Sequence, residues 1–138
     1  MNKAFNELSK EKQQTIYNAA MEVFGEYEYK RASTDLIASK AGVSKGLLFY
    51  YFHNKKTLYM QTFEYVSRII EDAISDTYLL EITDFFELIT YATKKKIKIL
   101  IENPYIMYFS IRCFYSQKEE VSNEIQTEIS HGKDKKYD

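Results

Sequence analysis

Residues 33–58 read STDLIASKAGVSKGLLFYYFHNKKTL, a stretch that predicts two short helices bent sharply about Gly42 and a further helix starting at Asn54. Ser33 and Ser44 each precede a run with helical spacing, where a hydroxyl accepts from the unpaired N–H groups of a first turn. Gly42 supplies the left-handed corner between the two helices. Ile37, Ala38, Ala41, Val43, Leu48 and Phe52 fall where a helix-turn-helix needs its small internal core, and Ala38 is small enough for close helix crossing.

In the second of these helices, 44–52, Leu48 and Phe52 point inward together, so the opposite face is centred on Gly46 and Tyr50 and flanked by Leu47 and Phe49. That face is too apolar for a solvent surface, which favours a nucleic-acid groove over a helical hairpin used only for packing. In a major groove Gly46 lets backbone approach closely, Leu47 meets a thymine methyl, and Lys45 at the leading edge donates to guanine O6 and N7 or to a phosphate. Tyr50 and Tyr51 lie along sugars and donate hydroxyls to bases or phosphates. Asn54 caps the next helix, whose first turn bears Lys55 and Lys56, while Ser33 and Thr34 open the earlier one just after Lys30 and Arg31. Both helix starts are expected phosphate sites, with His53 beside the DNA backbone. The expected DNA-binding set is therefore Lys30, Arg31, Ser33, Thr34, Ser44, Lys45, Gly46, Leu47, Phe49, Tyr50, Tyr51, His53, Asn54 and Lys55.

The order Ile37-Ala38, Ala41-Gly42-Val43-Ser44, Gly46, Leu48, Tyr51-Phe52, Lys55 and Leu58 closely resembles the helix-turn-helix of the tetracycline-repressor (TetR) family. The resemblance implies a dimeric transcriptional regulator in which a ligand bound to a C-terminal helical domain changes the spacing of two DNA-reading heads. Its expected partners are double-stranded DNA, a small-molecule effector and a second copy of the chain, with no cofactor. Repression is the expected sign, because the family is mostly repressors. The chain departs from the family pattern at Glu28, where relatives usually carry Gly, and at Phe49, where a Tyr usually supplies a phosphate hydrogen bond. Relatives also normally continue with two further long helices that build the dimer interface, so an incomplete, shortened C-terminal domain is expected.

Among 138 residues, 45% are apolar but only four are Gly and one is Pro, which favours an all-helical chain able to bury a real core. No apolar run reaches the length of a membrane span, and Asn2, Lys3, Asn6 and Glu7 leave no apolar signal-peptide core. A soluble, cytoplasmic protein is expected. The single Cys113 excludes an intrachain disulfide framework and reads as a buried small hydrophobe. Residues 1–60 carry nine Lys and Arg against six Asp and Glu, whereas residues 61–138 carry ten against fourteen. The positive half is the one holding the motif, as phosphate binding requires.

Taken in order, residues 1–8 are expected to be a loose arm. Ser9 caps a helix with an inward stripe of Ile16, Ala20, Val23, Phe24 and Tyr27, ending near Glu26, and Tyr29 turns back into the core. A long helix from Asn54 to about Ser75 keeps Leu58, Phe63, Val66, Ile69, Ile70, Ala73 and Ile74 on one face. After a connector over 77–83, a helix from Asp84 to Glu102 offers Phe85, Leu88, Ile89, Ala92, Ile97 and Leu100 for burial. Asn103-Pro104 reads as a stop and start, with Asn capping and Pro at the first position of a helix over 104–115 that is apolar almost all round. Ser116 to Glu119 forms a capping box for a last helix bearing Val121, Ile125 and Ile129 and stopped by Gly132.

The expected fold is all-α: an N-terminal three-helix helix-turn-helix head (1–56) joined by a long fourth helix to an incomplete C-terminal helical bundle with a regulatory role (57–138). Phe63, Val66, Ile89, Met107, Tyr108 and Phe114 are the ligand-pocket candidates, with ordinary core as the competing reading of the aromatic cluster. The lysines at 94–96 and 98 point in different directions on a helix and read as a solvated face. No Gly-rich phosphate loop, nucleophile elbow or Cys/His pair at ligand spacing is present, so neither an enzyme nor a metal site is expected. The competing function is a protein-interaction module that pairs with another chain through its exposed aromatic C-terminal helices.

Overall fold

The computed structural model describes residues 2–115 together with 123, 125–127, 130 and 131, and the described residues form helices and turns without a strand. In chain order the helices are α1 (Lys3–Asn6), α2 (Lys10–Glu26), α3 (Thr34–Ala41), α4 (Lys45–Phe52), α5 (Lys55–Ile74), a 3-10 turn (Thr77–Leu80), α6 (Phe85–Glu102) and α7 (Ile106–Tyr115). Their starts follow the capping residues. Ser9 Oγ accepts from Lys12 N at 3.3 Å, and Asp84 Oδ1 from Glu87 N at 2.8 Å, each satisfying an N–H group that the helix itself leaves unpaired.

The core is built around α2. Ile16, Tyr17, Ala20, Val23 and Phe24 are buried along it, and α3, α5 and α7 all pack on this helix. Small residues set how close the neighbours come. Ala38 and Ala41 are buried in α3, and at Gly25 a side chain would meet Phe109 N and Tyr108 Cβ at 3.1 Å. A glycine there lets the backbone of α7 settle on α2. Edge-on aromatic contacts fill the centre: Phe24 with Tyr59 at 4.8 Å, Tyr29 with Tyr59 at 5.4 Å, and Tyr59 with Phe109 at 5.5 Å between ring centroids. Tyr17 stacks on Tyr65 at 4.2 Å. Burial pushes the Tyr17 hydroxyl up to about 12, with the nearby Arg68 charge opposing the shift.

Polar contacts fasten the later helices to the same element. Arg112 Nε donates to Gly25 O at 2.8 Å, and its Nη2 to Glu26 O at 3.2 Å, which satisfies carbonyls at the open C-terminal end of α2. Gln14 Nε2 and Asn18 Nδ2 both donate to Glu102 O at 2.9 Å and close the end of α6 in the same way.

Five expectations are corrected by the structure. Residues 1–8 are not a loose arm: α1 is capped by Asn2, and Phe5 is buried against Tyr17 (5.3 Å) and Phe52 (4.8 Å). Three residues of the expected inward stripes are exposed: Tyr27, just past the end of α2, and Ile70 and Ile74 in the last turns of α5, so the apolar period of each helix runs on beyond its buried part. Helix α6 buries none of its residues fully; Phe85, Ile89, Ala92 and Ile97 are exposed, while Leu88 and Leu100 are half-buried. Asn103 does not cap the next helix. Its side chain is buried, accepting from Tyr65 OH at 2.7 Å and donating to Ile99 O at 3.2 Å, and α7 begins two residues after Pro104. Helix α7, expected to have neighbours on several sides, is buried among the described residues through one stripe, Ile106, Phe109 and Cys113. Of the expected last helix, Ile125 is helical and fully buried; Ser116 to Glu119, Val121, Ile129 and Gly132 lie outside the described residues.

This packing is open to test at two points. Phe5→Ala removes a buried ring and is expected to cost about 3 kcal/mol of unfolding free energy in urea; a loss below about 0.5 kcal/mol would restore the loose-arm reading. The second point is Asp76, which accepts from the Tyr91 hydroxyl at 2.6 Å and from Tyr78 N at 3.1 Å and pairs with Lys95. The Lys95 ammonium first, then the Tyr91 hydroxyl, hold its carboxyl below the ordinary value. A lowered folded value contributes stability that is full above about pH 4 and lost as pH falls through the folded value. Amide exchange across 77–81 should therefore accelerate on acidification beyond its intrinsic pH dependence, and Asp76→Asn should show the faster exchange already at pH 7.

Candidate nucleic-acid interface

Helix α3 ends at Gly42, which takes φ 69° and ψ 27°, the left-handed conformation that costs a residue with Cβ. Gly42 N donates to Ser39 O and Val43 N reaches back to Ala38 O at 3.0 Å, so the last carbonyls of α3 are satisfied within the corner. The chain then starts α4 two residues later. Ser44 Oγ accepts from Leu47 N at 3.0 Å and Ser33 Oγ from Leu36 N at 3.2 Å, leaving both hydroxyl protons available to donate outward.

The two faces of α4 divide as its spacing requires. Leu48 and Phe52 are buried, whereas Lys45, Gly46, Leu47 and Tyr50 face out, Tyr50 being 60% exposed. Phe49 is half-buried, with Lys45 Nζ 5.9 Å from its ring centroid. A Cβ added at Gly46 would meet nothing within 4 Å. The fold thus places no demand for glycine at this position, and the space it leaves opens outward.

Tyr51 is half-buried, its ring edge-on to Phe5 at 5.6 Å, so most of it belongs to the support of α4. Helix α4 hands over to α5 through a short link. His53 has φ 65° and ψ −51°, and Asn54 N donates to Phe52 O at 2.8 Å, a tight three-residue turn that is strained for a residue with a side chain. Asn54 Oδ1 then accepts from Thr57 N at 2.8 Å and caps α5, leaving its amide group to donate.

Two of the expected cations are already engaged. Lys55 Nζ lies 4.6 Å from the Tyr29 ring centroid, and Lys45 Nζ lies 3.1 Å from Asp35 Oδ1. Lys30 and Arg31 are exposed on the turn before α3, where Glu28 O accepts from both Arg31 N and Ala32 N at 2.9 Å. Glu28 needs no positive φ for this turn, so the glycine usual in relatives is dispensable here. The Ser33 and Thr34 helix start, the Ser44 to Tyr50 face and the Asn54 to Lys55 helix start follow one another closely along the chain, and α4 packs on both α3 and α5.

Reading the sequence missed two participants. Asn2 Nδ2 donates to Tyr50 O at 2.5 Å, bracing a carbonyl near the end of α4, and Asp35 faces Lys45. Neither has a local signature: Asn2 lies 48 residues from its acceptor, and an acid in a first turn ordinarily reads as a complement to the helix dipole.

The six pocket candidates are spread over three helices. Val66 is buried and Phe63 half-buried in α5, while Ile89, Met107, Tyr108 and Phe114 are exposed on α6 and α7. A separate cleft of about 150 Å³ between α1, α4 and α5 is lined by Asn2, Phe5, Tyr51, Phe52, His53, Thr57 and Gln61. It is smaller than the roughly 300 Å³ of an ordinary small-molecule site. Among the described residues no three His, Cys, Asp or Glu side chains gather as metal ligands, and no helix is long and apolar enough to cross a membrane.

Helix architecture, left-handed corner and outward apolar face together define an all-α protein with a helix-turn-helix head. Residues 16–61 match the model of the bacterial regulatory proteins, tetR family. The chain superposes on a TetR family transcriptional regulator from Chloroflexus aurantiacus J-10-FL with a TM-score of 0.58 and 23% identity, covering 95% of this chain and 60% of that one. It also superposes on the fatty acid degradation regulator FadR from Bacillus halodurans with a TM-score of 0.55 and 25% identity, covering 91% of this chain and 61% of that one. No curated protein is significantly similar in sequence. The family match covers about a third of the chain, and the chain spans about three-fifths of the length of these two structures.

Proposed function

We propose that this chain is a DNA-binding transcriptional regulator, a repressor, that reads a palindromic operator with α4 in the major groove. The observation that carries this reading is the outward face of α4, where Gly46 stands in open space beside Leu47, Tyr50 and Lys45. A face of that composition is a poor solvent surface and fits a groove in which backbone, thymine methyls and guanine edges meet it. Residues 1–56 form the DNA-binding unit. Leu47, Gly46, Lys45 and Tyr50 read bases, while Lys30, Arg31, Ser33, Thr34, Ser44, His53, Asn54 and Lys55 bind phosphates. Phe49 and Tyr51 chiefly support the reading face.

The remaining residues, 57–138, act as a regulatory domain and the protein works as a homodimer, placing two heads about 34–36 Å apart or at a multiple of that spacing. A small-molecule effector binds against Phe63, Val66, Ile89, Met107, Tyr108 and Phe114 and shifts α5 relative to the head. The fastening of α7 to α2 through Arg112 and Gly25 supports such coupling, since a displaced α7 moves the end of α2 with it. A second reading, a protein-interaction module, is favoured by one observation: Phe85, Phe86, Ile101, Tyr108, Phe114 and Tyr115 are each about two-thirds exposed or more.

Selection of bound sequences from random duplex DNA separates the two readings. The regulator is expected to return a palindrome and to lose affinity steeply with salt, whereas an interaction module returns no sequence and shows no slope. Lys45→Ala and Tyr50→Ala should relax the selected sequence without lowering helical content; unchanged selectivity would remove α4 from the reading role. Gly46→Ala splits stability from binding. It is expected to stabilise the fold by up to about 1 kcal/mol, through the better helix propensity of Ala, while weakening operator binding roughly tenfold or more by holding α4 off the groove.

A further inference from the structure

We infer that Asp35 is a specificity-determining residue, one that holds Lys45 against non-cognate DNA and gives it up only where the base pairs offer an amino group to its carboxylate. The inference rests on the DNA-binding reading above. Asp35 stands in the first turn of α3 and Lys45 in the first turn of α4. The corner at Gly42 brings these two helix starts onto one side, where Lys45 Nζ sits 3.1 Å from Asp35 Oδ1. Neither end of the pair is needed by the fold. Both side chains are more than half exposed, a setting in which an ion pair contributes little to stability, and the start of α3 is already capped by Ser33.

On a DNA-facing surface the same pair has large consequences. Phosphates repel the Asp35 carboxylate, and while the pair is closed Lys45 is neutralised and displaces no counterion. Both effects weaken binding to any sequence on which the pair stays closed. When Lys45 leaves for guanine O6 and N7, Asp35 becomes an acceptor lacking its donor. The cytosine N4 amino group lies on the same major-groove edge of the G·C pair and supplies one; adenine N6 is the other amino donor available in that groove. An ammonium beside a carboxylate thus matches the acceptor–donor order of a G·C edge. Where the base nearest Asp35 is guanine or thymine, which present only acceptors or a methyl, the carboxylate is left uncompensated at the interface, and such sequences are rejected by repulsion as well as by lack of contacts.

The test uses the full chain, the duplex returned by selection and a random-sequence duplex of equal length, each titrated across a range of salt concentrations. Asp35→Asn is expected to tighten binding to the random duplex on the order of 3–10-fold at low salt and to steepen the slope of log affinity against log salt by about one. The ratio of selected to random affinity should fall by a similar factor. Repeating the selection with Asp35→Asn should lose the cytosine or adenine preference at one position of each half-site. Asp35→Ala should act in the same direction, and in a Lys45→Ala background the change in slope should vanish, because no cation is left to release. If the wild-type chain binds DNA but Asp35→Asn leaves the random-duplex affinity, the slope and the ratio unchanged, the inference is overturned while the DNA-binding reading stands. Equal weakening on both duplexes also overturns it, marking Asp35 as a support for α3. A wild-type chain with no salt-dependent binding to any duplex overturns both.

Discussion

Helix α2 is the wall on which most of the described structure is assembled. Its inward residues Ile16, Tyr17, Ala20, Val23 and Phe24 are almost completely buried, and α3, α5 and α7 pack against it from different sides. A helix apolar over more than one stripe has to be covered on several sides. Covering it ties the helix-turn-helix, the long α5 and the C-terminal α7 to one wall. The close approach at Gly25 and the Arg112 contacts to Gly25 O and Glu26 O make the last of these junctions a seated one.

The helix-turn-helix is legible in the sequence because its determinants are local. Ser33, Ser44 and Asn54 each accept from an N–H group three residues ahead, and Gly42 adopts the one backbone conformation that its lack of Cβ makes inexpensive. The inward positions Ile37, Ala38, Leu48 and Phe52 follow from helical period alone. The boundaries of α2, α5 and α6 obey the same logic of cap and period, and the structure reproduces them to within a residue or two.

The features that escape a sequence reading depend on contacts distant in the chain. Phe5 reads as one aromatic in a polar arm until Tyr17 and Phe52 are brought beside it. Asn103 has the composition of a cap, yet the hydroxyl of Tyr65 claims its carbonyl oxygen, and an unsatisfied buried donor would cost more than a missing cap gains. The apolar stripe of α6 is visible as a stripe, but periodicity says only which face is apolar. Whether a partner element covers it is a tertiary fact, and here Phe85, Ile89 and Ile97 remain exposed. Charged partners on neighbouring elements are equally invisible, which is why Lys45 reads as a free cation although Asp35 already holds it.

Helices α6 and α7 are held to the rest of the described structure in contrasting ways. At its C-terminal end α6 is held by the half-buried Ile99 and Leu100 and by the Gln14 and Asn18 amides on Glu102 O. Toward its N-terminus it leans on the 3-10 turn through the contacts of Tyr91 and Lys95 with Asp76. Few apolar contacts fix that end, so its position is cheap to change. Helix α7, in contrast, buries Phe109 completely and has no slack at Gly25. Asn103 joins the held end of α6 to the long helix, its side chain bridging Ile99 of α6 and Tyr65 of α5.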